Sequence, residues 1–407
     1  MFKQSFTFSV ILLFLLSCET PYDALKSLKK DVGYLAADSL SGREFGTEGE
    51  KKAADFLTSE FKKIGLSPAG TDGFYQPFYV KKSDNPHEKA AIGDSLGTKG
   101  YNVLGMIDNP SDEIIVIGAH FDHLGMGSFS SLHRGEEQVH NGADDNASGT
   151  AALLHLARVL SKKQLNRDIL FFAISGEEKG LWGSNYFVKN PTLDLSKVNY
   201  MVNMDMVGRL DTTKGLAVHG VGTAEVWSGV LDIANTDNIK LIKKESGTGP
   251  SDHTSFYLQD ISVLHFFTGQ HEDYHKPGDD AEKLNYGGIL QVANLIERLV
   301  VDLDDEESLA FIKTKDESSN TPRFTVTLGV VPDYLFDGKG MRIDGVSEDK
   351  PAQKAGIVKG DIVIQMGDST INDMMSYMRT LSSFQSGDKT MVTIDRAGEK
   401  LEVEVEF

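Results

Sequence analysis

Histidine and carboxylate side chains of this chain stand at the ends of predicted strands or at the start of a predicted helix. They are His120, Asp122, Asp144, Asp145, Glu177, Glu178, Asp205 and His275. In an open α/β sheet the carboxyl ends of parallel strands meet at one edge, so residues distant in sequence can converge there. Nitrogen and oxygen donors without cysteine suit Zn²⁺, with Co²⁺ or Mn²⁺ as possible substitutes. The pattern therefore predicts a transition-metal site.

Each part of this pattern also has an ordinary structural interpretation. Glu177 and Glu178 lie between glycines, which is typical of a solvated turn. A lone His120 is more often a hydrogen-bonded residue than a ligand, and Asp144 and Asp145 can cap a helix. The shared placement of all the segments favours one joint site over a series of coincidences.

The segments that would position these residues alternate between apolar strands and helices. Strands are expected at 101–107, 113–119, 168–175, 198–204 and 261–267, and helices at 22–37, 47–64, 147–160, 224–233 and 286–303. Near-continuous apolar strands separated by helices are typical of an α/β domain with a largely buried sheet.

The charge of the chain limits its partners. It has 407 residues, and 41 basic against 60 acidic side chains give a formal net charge of −19. Binding to nucleic acid or to an anionic membrane surface depends on clustered lysine and arginine, so both are disfavoured. The length predicts two or three domains.

The first residues are expected to be a targeting signal. Residues 1–17 have the pattern of a lipoprotein signal peptide, and Cys18, the only cysteine, follows as the lipidation site. The protein would then be held by its lipid anchor alone in a bacterial cell envelope, on a periplasmic or surface face. The alternative is a buried thiol after an ordinary signal.

A change in composition predicts the domain boundary. An acidic run at 302–307 is followed by a cluster of turn-forming residues at 318–322. We therefore expect a catalytic domain over 18–302, an acidic linker over 303–322 and a second domain over 323–407.

Five motifs occur in a characteristic order. They are HFD at 120–122, GADDNASG at 142–149, SGEEKG at 175–180, NMDMVG at 203–208 and YHKPGDD at 274–280. Together they resemble the co-catalytic di-zinc aminopeptidases of peptidase family M28, which include bacterial leucyl aminopeptidases and have glutamate carboxypeptidase II and the glutaminyl cyclases as relatives. The resemblance covers about residues 22–302. It implies an α/β domain with a mixed, mainly parallel central sheet flanked by helices.

The resemblance also implies two zinc ions held by five protein ligands. Asp145 would bridge both ions. His120 and Asp205 would complete the coordination of one ion. Glu178 and His275 would complete that of the other.

Further roles follow from the same resemblance. Glu177 would be the general base that takes a proton from a metal-bound water, and Asp122 would hold the far nitrogen of His120. A segment near the family's substrate pocket is matched by Ser251, Asp252 and His253. Three other histidines in an apparent insertion between the first two motifs are expected at the surface or at the rim of the entrance, with an accessory metal site as the alternative; they are His123, His133 and His140.

These roles predict a zinc-dependent exopeptidase that removes N-terminal residues from peptides with a free N-terminus. One ion can polarise the scissile carbonyl while the other holds the α-amine. Two alternatives stay open. One is a glutaminyl-cyclase-like acyl transferase on the same scaffold, and the other is a non-catalytic peptide-binding envelope adaptor.

The segment 345–362 resembles a bacterial-type PDZ domain, with the pattern ProAlaXaaXaaAlaGlyIle from Pro351 onward. The resemblance implies a small β-barrel-like domain. Its loop at Leu328, Gly329 and Val330 would offer backbone N–H groups to the C-terminus of a peptide. The alternative is a stabilising module with a blocked groove.

Overall fold

The computed structural model describes residues 23–81, 91–93, 96–127, 130–314, 326–333, 336, 338–347 and 349–407. The predicted signal peptide at residues 1–17 and the predicted lipidation site Cys18 lie outside these residues. Within the described part of the chain, no helix has both the length and the apolar character needed to cross a bilayer.

The first domain consists of a large sheet and the helices that cover it. Its helices are Ala24–Leu35 (α1), Glu48–Ile64 (α2), Gly149–Leu160 (α3), Trp182–Lys189 (α4), Trp227–Ala234 (α5), His253–Tyr257 (α6) and Tyr286–Asp302 (α7). Its strands are Ser67–Pro68 (β1), Tyr75–Lys81 (β2), Ala91–Ile92 (β3), Thr98–Ile107 (β4), Ile114–His120 (β5), Asp168–Ile174 (β6), Val198–Met204 (β7), Leu216–His219 (β8), Leu241–Lys243 (β9) and Ser262–Phe267 (β10).

The sheet is mixed, with a parallel centre. Its strand order is β3-β2-β4-β6-β5-β7-β10-β8-β9, and β1 pairs with β4. The four central strands β6, β5, β7 and β10 run parallel, while β4 and β8 flank them antiparallel. The predicted fold class is confirmed.

Burial on both faces explains the continuous apolar strands. Along β5, Ile115 and Ile117 pack in the core beneath α1, α2, α3, α5 and α7. Ile114 and Val116 point the other way, into a core closed by Phe187 of α4 and by α6. Since successive side chains of a strand alternate between faces, a sheet covered on both sides needs apolar residues at every position.

Local signals set the bounds of α2. The Thr47 side chain accepts a hydrogen bond from the Glu50 backbone N–H at the start of the helix. Gly65 ends it with φ +93°, a left-handed conformation that glycine adopts without strain.

Residues 303–314, called the strap here, lie on the first domain. Asp304 Oδ2 accepts a hydrogen bond from Asn166 N at 2.7 Å, and Ile312 N donates to Thr223 O at 2.8 Å. At its end, Thr314 N donates to the Tyr257 hydroxyl at 3.0 Å. The prediction of a linker over 303–322 is therefore corrected for these residues, and the rest of that range lies outside the described chain.

The second domain is a small antiparallel sheet with two helices. Its elements are Val330–Pro332 (β11), Met341–Val346 (β12), Pro351–Lys354 (α8), Ile362–Met366 (β13), Ser369–Thr370 (β14), Met374–Leu381 (α9), Lys389–Arg396 (β15) and Glu399–Glu406 (β16). The strand order is β11-β12-β13-β15-β16, with β14 beside β13. Buried side chains such as Leu328, Ile343 and Val392 form its separate core.

Candidate metal centre and cavity

Strand register brings the predicted site residues to one edge of the sheet. His120 ends β5 opposite Ile174, the last residue of β6, so Glu177 and Glu178 follow directly beside it. Asp205 follows β7, and its backbone N–H donates to the Phe266 carbonyl of β10. The carboxyl ends of parallel strands thus converge as the sequence pattern predicted.

The first cluster is formed by His120, Glu177 and Asp205. His120 Nε2 lies 3.3 Å from Asp205 Oδ1 and 4.0 Å from Glu177 Oε2. One ligand atom from each residue falls within 4.8 Å of the others, which is a spacing that could hold a metal ion.

The second cluster is formed by Asp145, Glu178, His275 and His123. His275 Nε2 lies 3.2 Å from Asp145 Oδ2 and 3.2 Å from Glu178 Oε2. The other oxygen of Asp145, Oδ1, lies 3.4 Å from His120 Nε2 of the first cluster. Asp145 is therefore the one carboxylate among these residues that faces both clusters with separate oxygens.

The structure corrects the expectation for two of the three insertion histidines. His123 is fully buried, and its Nδ1 lies 2.7 Å from Glu178 Oε1. His140 is also buried, with Nε2 2.7 Å from Ser131 Oγ, whereas His133 is partly exposed. Only the position of His123, three residues after His120, hinted at a shared site.

Asp122 contacts both a predicted ligand and the predicted base. Its Oδ1 accepts a hydrogen bond from Glu177 N at 3.1 Å and lies 3.7 Å from His120 Nδ1. Its backbone carbonyl is nearer to that nitrogen, at 3.3 Å. The residue therefore fixes the orientation of His120 mainly through its main chain and the backbone of Glu177 through its side chain.

A hydrogen-bond chain supports Asp205. Ser251 Oγ donates to Asp205 Oδ2 at 2.8 Å, and Asn203 Nδ2 donates to Ser251 Oγ at 2.9 Å. Asn203 Nδ2 also lies 3.2 Å from His265 Nδ1. The orientation of this carboxylate is thus set from the second layer of side chains.

The insertion between the HFD and GADDNASG motifs contacts His275. His275 Nδ1 lies 2.9 Å from the Ser130 carbonyl, and Leu132 N donates to the His275 carbonyl at 3.0 Å. The first contact leaves Nε2 as the nitrogen that faces Asp145 and Glu178. None of the described insertion residues is among those lining the cavity.

Two buried residues hold the turn that carries Asp145. Asp279 Oδ2 accepts hydrogen bonds from the backbone N–H groups of Asp144 and Asp145, at 2.8 and 3.0 Å. Arg43 donates to the carbonyls of Phe121 and of three further residues, which are Leu35, Asn141 and Gly142. Burial lowers the pKa of Arg43 to about 10, so its guanidinium stays cationic at neutral pH.

Burial and charge set the protonation of the clusters. Burial raises the pKa of Glu177 well above its usual range, although His120 opposes the shift. Burial alone would lower the pKa of His275, but the carboxylates of Glu178 and Asp145 outweigh it and raise the pKa to about 11. An imidazolium between two carboxylates occupies the electrostatic position that suits a divalent cation.

The clusters open into a cavity of about 160 Å³. Its lining residues beyond the two clusters are Met206, His219, Pro250, Ser251, His265, Phe267, Gln270 and Tyr274. Of the three predicted pocket residues, Ser251 lines this cavity. Asp252 and His253 are fully buried behind it, and the His253 ring stacks on His265 with centroids 4.5 Å apart.

The predicted carboxylate loop of the second domain begins its edge strand. The Leu328 side chain is buried in the core of that domain. Gly329 has φ +77°, and its N–H donates to Thr327 Oγ1 at 3.0 Å. Val330 starts β11, which lies at the end of the sheet order.

Comparison with known proteins assigns both domains. Residues 102–300 match the family model described as peptidase family M28, and residues 310–407 match the model of a PDZ domain. The chain therefore carries a peptidase M28 domain followed by a PDZ domain, which confirms both resemblances.

Two curated relatives illustrate the first assignment. Aminopeptidase YwaD of Bacillus subtilis is 29% identical over 267 residues, covering 60% of this chain and 53% of YwaD. A probable zinc metalloprotease of Pyrenophora tritici-repentis is 30% identical over 191 residues, covering 46% of this chain and 37% of the relative. The chain thus spans about half or less of the length of these relatives.

Solved structures share the fold. The zinc aminopeptidase BSAP from Bacillus subtilis has a TM-score of 0.54 at 20% identity, covering 72% of this chain and 99% of BSAP. A Zn-dependent exopeptidase from Parabacteroides distasonis has a TM-score of 0.56 at 18% identity, covering 69% and 98%. At these identities the likeness establishes the architecture of the peptidase domain.

Proposed function

We propose that this protein is a zinc-dependent aminopeptidase, a hydrolase that removes residues from free peptide N-termini. The observation that carries the proposal is the position of Asp145, whose two oxygens lie 3.4 Å from His120 Nε2 and 3.2 Å from His275 Nε2. Glu177 and Glu178 stand on either side of it, one in each cluster. The M28 domain, with relatives named aminopeptidase and zinc metalloprotease, supports the same conclusion.

The side chains present fit two zinc ions. Four carboxylates line the cavity, and no lysine or arginine is among its described lining residues. Buried carboxylates this close together are costly unless cations pair with them. Carboxylate and imidazole donors suit Zn²⁺. Bound Zn²⁺ would polarise the carbonyl of the scissile peptide bond and lower the pKa of a bound water.

The five proposed ligands keep the roles that the resemblance gave them. Asp145 would bridge the two ions. His120 and Asp205 would hold one ion, and the remaining pair, Glu178 and His275, the other. Ser251 and Asp279 would act on these ligands, the first through a hydrogen bond to Asp205 and the second through the backbone of Asp145.

Glu177 is the proposed general base. It would accept a proton from the attacking water and pass it to the departing amine. Burial raises the pKa of Glu177 well above the usual range in the metal-free protein. Two cations bound beside it would lower this pKa towards the range that suits a base working near neutral pH. The Asp122 contact to its backbone N–H would keep its carboxylate directed towards the cavity.

The cavity favours a substrate with a free α-amine and an uncharged first side chain. In its neutral form the α-amine could bind one of the two ions, and acetylation removes the lone pair that this requires. The far wall is uncharged at neutral pH, since burial lowers the pKa of His219 to about 4 and that of His265 well below its usual range. Phe267 and Tyr274 add aromatic surface to this wall.

The test compares a pool of free-amine peptides with its N-acetylated twin, using the zinc-loaded full chain and mass spectrometry. We expect stepwise N-terminal trimming of the free pool alone. Glu177→Gln should lose about 10²–10⁴-fold in kcat with its zinc retained. Equal cleavage of acetylated peptides contradicts the exopeptidase, and loss of ammonia from N-terminal glutamine would indicate the cyclase instead.

The PDZ domain is proposed to bind a peptide C-terminus by adding the peptide as a strand. Within the described sheet, β11 pairs with β12 on one side and is the edge strand on the other. An edge strand exposes backbone groups that can pair with an extended peptide. The Gly329 N–H is already engaged by Thr327, so the neighbouring N–H groups of the loop would have to hold the carboxylate.

A further inference from the structure

We propose that His123 is an additional nitrogen ligand of the second metal position, which would then be held by four side chains. The other three are Asp145, Glu178 and His275. This inference rests on the two-zinc centre proposed above and adds a ligand that the resemblance did not supply. It also makes the two metal positions chemically unequal.

Distances between the donor atoms carry the proposal. His123 Nδ1 lies 2.7 Å from Glu178 Oε1 and 3.9 Å from Asp145 Oδ2, and one atom from each residue falls within 4.8 Å of the others. His275 Nε2 lies 3.2 Å from the second oxygen of Glu178. Zinc binds such atoms at about 2.0–2.2 Å in a tetrahedron, which places neighbouring ligands about 3.3–3.6 Å apart.

The surroundings of His123 turn its ring towards this position. The side chain is fully buried, and Nε2 has no hydrogen-bond partner within the described residues. Its Nδ1 faces the two carboxylates of the second cluster, and the His275 ring lies beyond, with centroids 5.9 Å apart. A buried imidazole directed at these acids is a metal donor in both position and chemistry.

The backbone nearby makes room for the ring. Gly142 has φ +55°, and a Cβ placed on it would lie 2.5 Å from Cγ and Cδ2 of His123. A side chain there would push the imidazole away from Glu178. His123 N also donates to the Arg43 carbonyl at 3.3 Å, so the main chain that carries the ring is held.

Four protein ligands would give the two positions different tasks. Zinc held by four side chains is typical of closed sites, whereas three protein ligands leave a position open for water or substrate. The position with His123 would fill first and hold its ion more tightly. The position with His120 and Asp205 would keep the open coordination and exchange its ion more readily.

The test variants differ in the group that they place where His123 Nδ1 faces the second cluster. In His123→Asn, an amide N–H can still donate to Glu178, but the amide is a poor zinc ligand. In His123→Asp, a carboxylate oxygen can bind the ion in place of Nδ1. His133→Asn is the matched control, since His133 lies in the same insertion and its Nε2 contacts the Glu136 carbonyl instead.

Zinc bound per full-length chain is measured by elemental analysis after dialysis against graded concentrations of a chelator. We expect two zinc ions in the wild type and in His133→Asn. His123→Asn should keep one and bind the other about 100-fold or more weakly, while His123→Asp should recover most of that loss. Wild-type affinity for both ions in His123→Asn would show a hydrogen bond to Glu178 and overturn the proposal.

A measurement on the wild type covers the case in which a variant fails to fold. In zinc-loaded protein, ¹⁵N chemical shifts of the histidine rings distinguish a metal-bound Nδ1 from a protonated one. A protonated Nδ1 at His123 overturns the proposal. If the wild type binds one zinc ion, the two-zinc centre is overturned and not the role of His123. Loss of that single ion in His123→Asn but not in His123→Asp would still assign His123 as its ligand.

Discussion

The Asp122 carboxylate accepts a hydrogen bond from the Glu177 backbone N–H, with the two atoms 3.1 Å apart. The same oxygen lies 3.7 Å from His120 Nδ1. One buried acid therefore connects the proposed base to a proposed ligand. Substitutions of Asp122 can therefore separate its effect on His120 from its effect on Glu177.

Asp122→Asn keeps an oxygen that can accept from Glu177 N–H but removes the charge near His120. Asp122→Ala removes both. We expect zinc affinity to fall by less than about 10-fold in either variant, because the Asp122 main-chain carbonyl, the partner nearer to His120 Nδ1, stays in place. In zinc-saturated protein, kcat should fall further in the alanine variant, with KM nearly unchanged. Equal kcat in the two variants would contradict a role in holding Glu177.

Arg43→Met should lower the free energy of unfolding by about 3–5 kcal/mol, since it removes a buried cation and leaves several carbonyls without a donor. Chemical denaturation of metal-free protein measures the change. The control is Lys197→Met, which removes a surface ion pair with Asp112 and should cost under about 1 kcal/mol. A similar small loss for Arg43→Met would contradict its role beneath the metal-binding loops.

Acid should destabilise the metal-free protein through its buried histidines. Burial lowers the pKa of His253 to about 3, against about 6.5 when unfolded. Its stability contribution is present above pH 6.5 and is lost as pH falls towards 3, because the unfolded chain takes up the proton first. Between pH 7 and 5 this amounts to about 2 kcal/mol.

His253→Phe keeps a ring against His265 but cannot titrate. Chemical unfolding at pH 7 and at pH 5, in chelator, should show a smaller loss for the variant, by about 2 kcal/mol. The carboxylates of the metal centre titrate in both proteins, so their contribution cancels. Parallel losses in the two proteins would exclude this histidine as a source of acid sensitivity.

Thr314→Val tests whether the strap supports the cavity. Thr314 Oγ1 accepts a hydrogen bond from Gly247 N at 3.0 Å, in the loop that leads to the lining residues Pro250 and Ser251. We expect KM to rise a few-fold at constant kcat and stability to fall by about 1 kcal/mol. The exposed Thr236→Val is the control. Unchanged KM in the Thr314 variant would limit the strap to a structural role.

Peptides with a free C-terminal acid should be turned over faster than their amidated forms if the PDZ groove is open. Gly329→Ala should abolish the difference, since a Cβ there would lie 2.0 Å from Lys350 Cβ. Gly398→Ala is the matched control, with φ +91° and open space around it. Equal rates for both peptide forms in the wild type would favour the blocked groove.

The central strands could be predicted because both faces of the sheet are buried. β5, β6, β7 and β10 are nearly continuous apolar runs, so their composition predicts strands. β2 was missed because it contains Pro77 and because polar Gln76 is buried while Tyr75 and Tyr79 are partly exposed, so the sequence shows no apolar–polar alternation. β8 and β9 were missed because runs of four and three residues carry little periodicity.

The strap was misread because its acidic composition is typical of a solvated linker. Asp304 is in fact buried, with its carboxylate accepting hydrogen bonds from the backbone of Asn166 and Arg167. The Arg167 guanidinium also donates to the carbonyls of Leu303 and Asp304. Such partners lie more than a hundred residues away along the chain, and no local pattern reveals them.

In the metal centre, the motifs identified the residues that the structure brings together but omitted His123. Apart from its position three residues after His120, that histidine has no signal in the sequence, because its burial depends on the close approach of Gly142 and Arg43. The pairing of Asp279 with the backbone of Asp145 likewise depends on a contact between distant segments. The motifs identify the residues that could bind metal, whereas the contacts that set the burial and orientation of those residues come from the tertiary fold.

The contact between His275 and the Ser130 carbonyl limits how this protein can be re-engineered or can diverge. Tyr274, which lines the cavity, stacks on His275 with ring centroids 3.8 Å apart. A change of backbone at Ser130 or Leu132 would therefore move a metal ligand and a wall of the cavity together. If the insertion were exchanged between relatives, any change in substrate choice would be accompanied by a change in metal retention. The two properties would therefore change together.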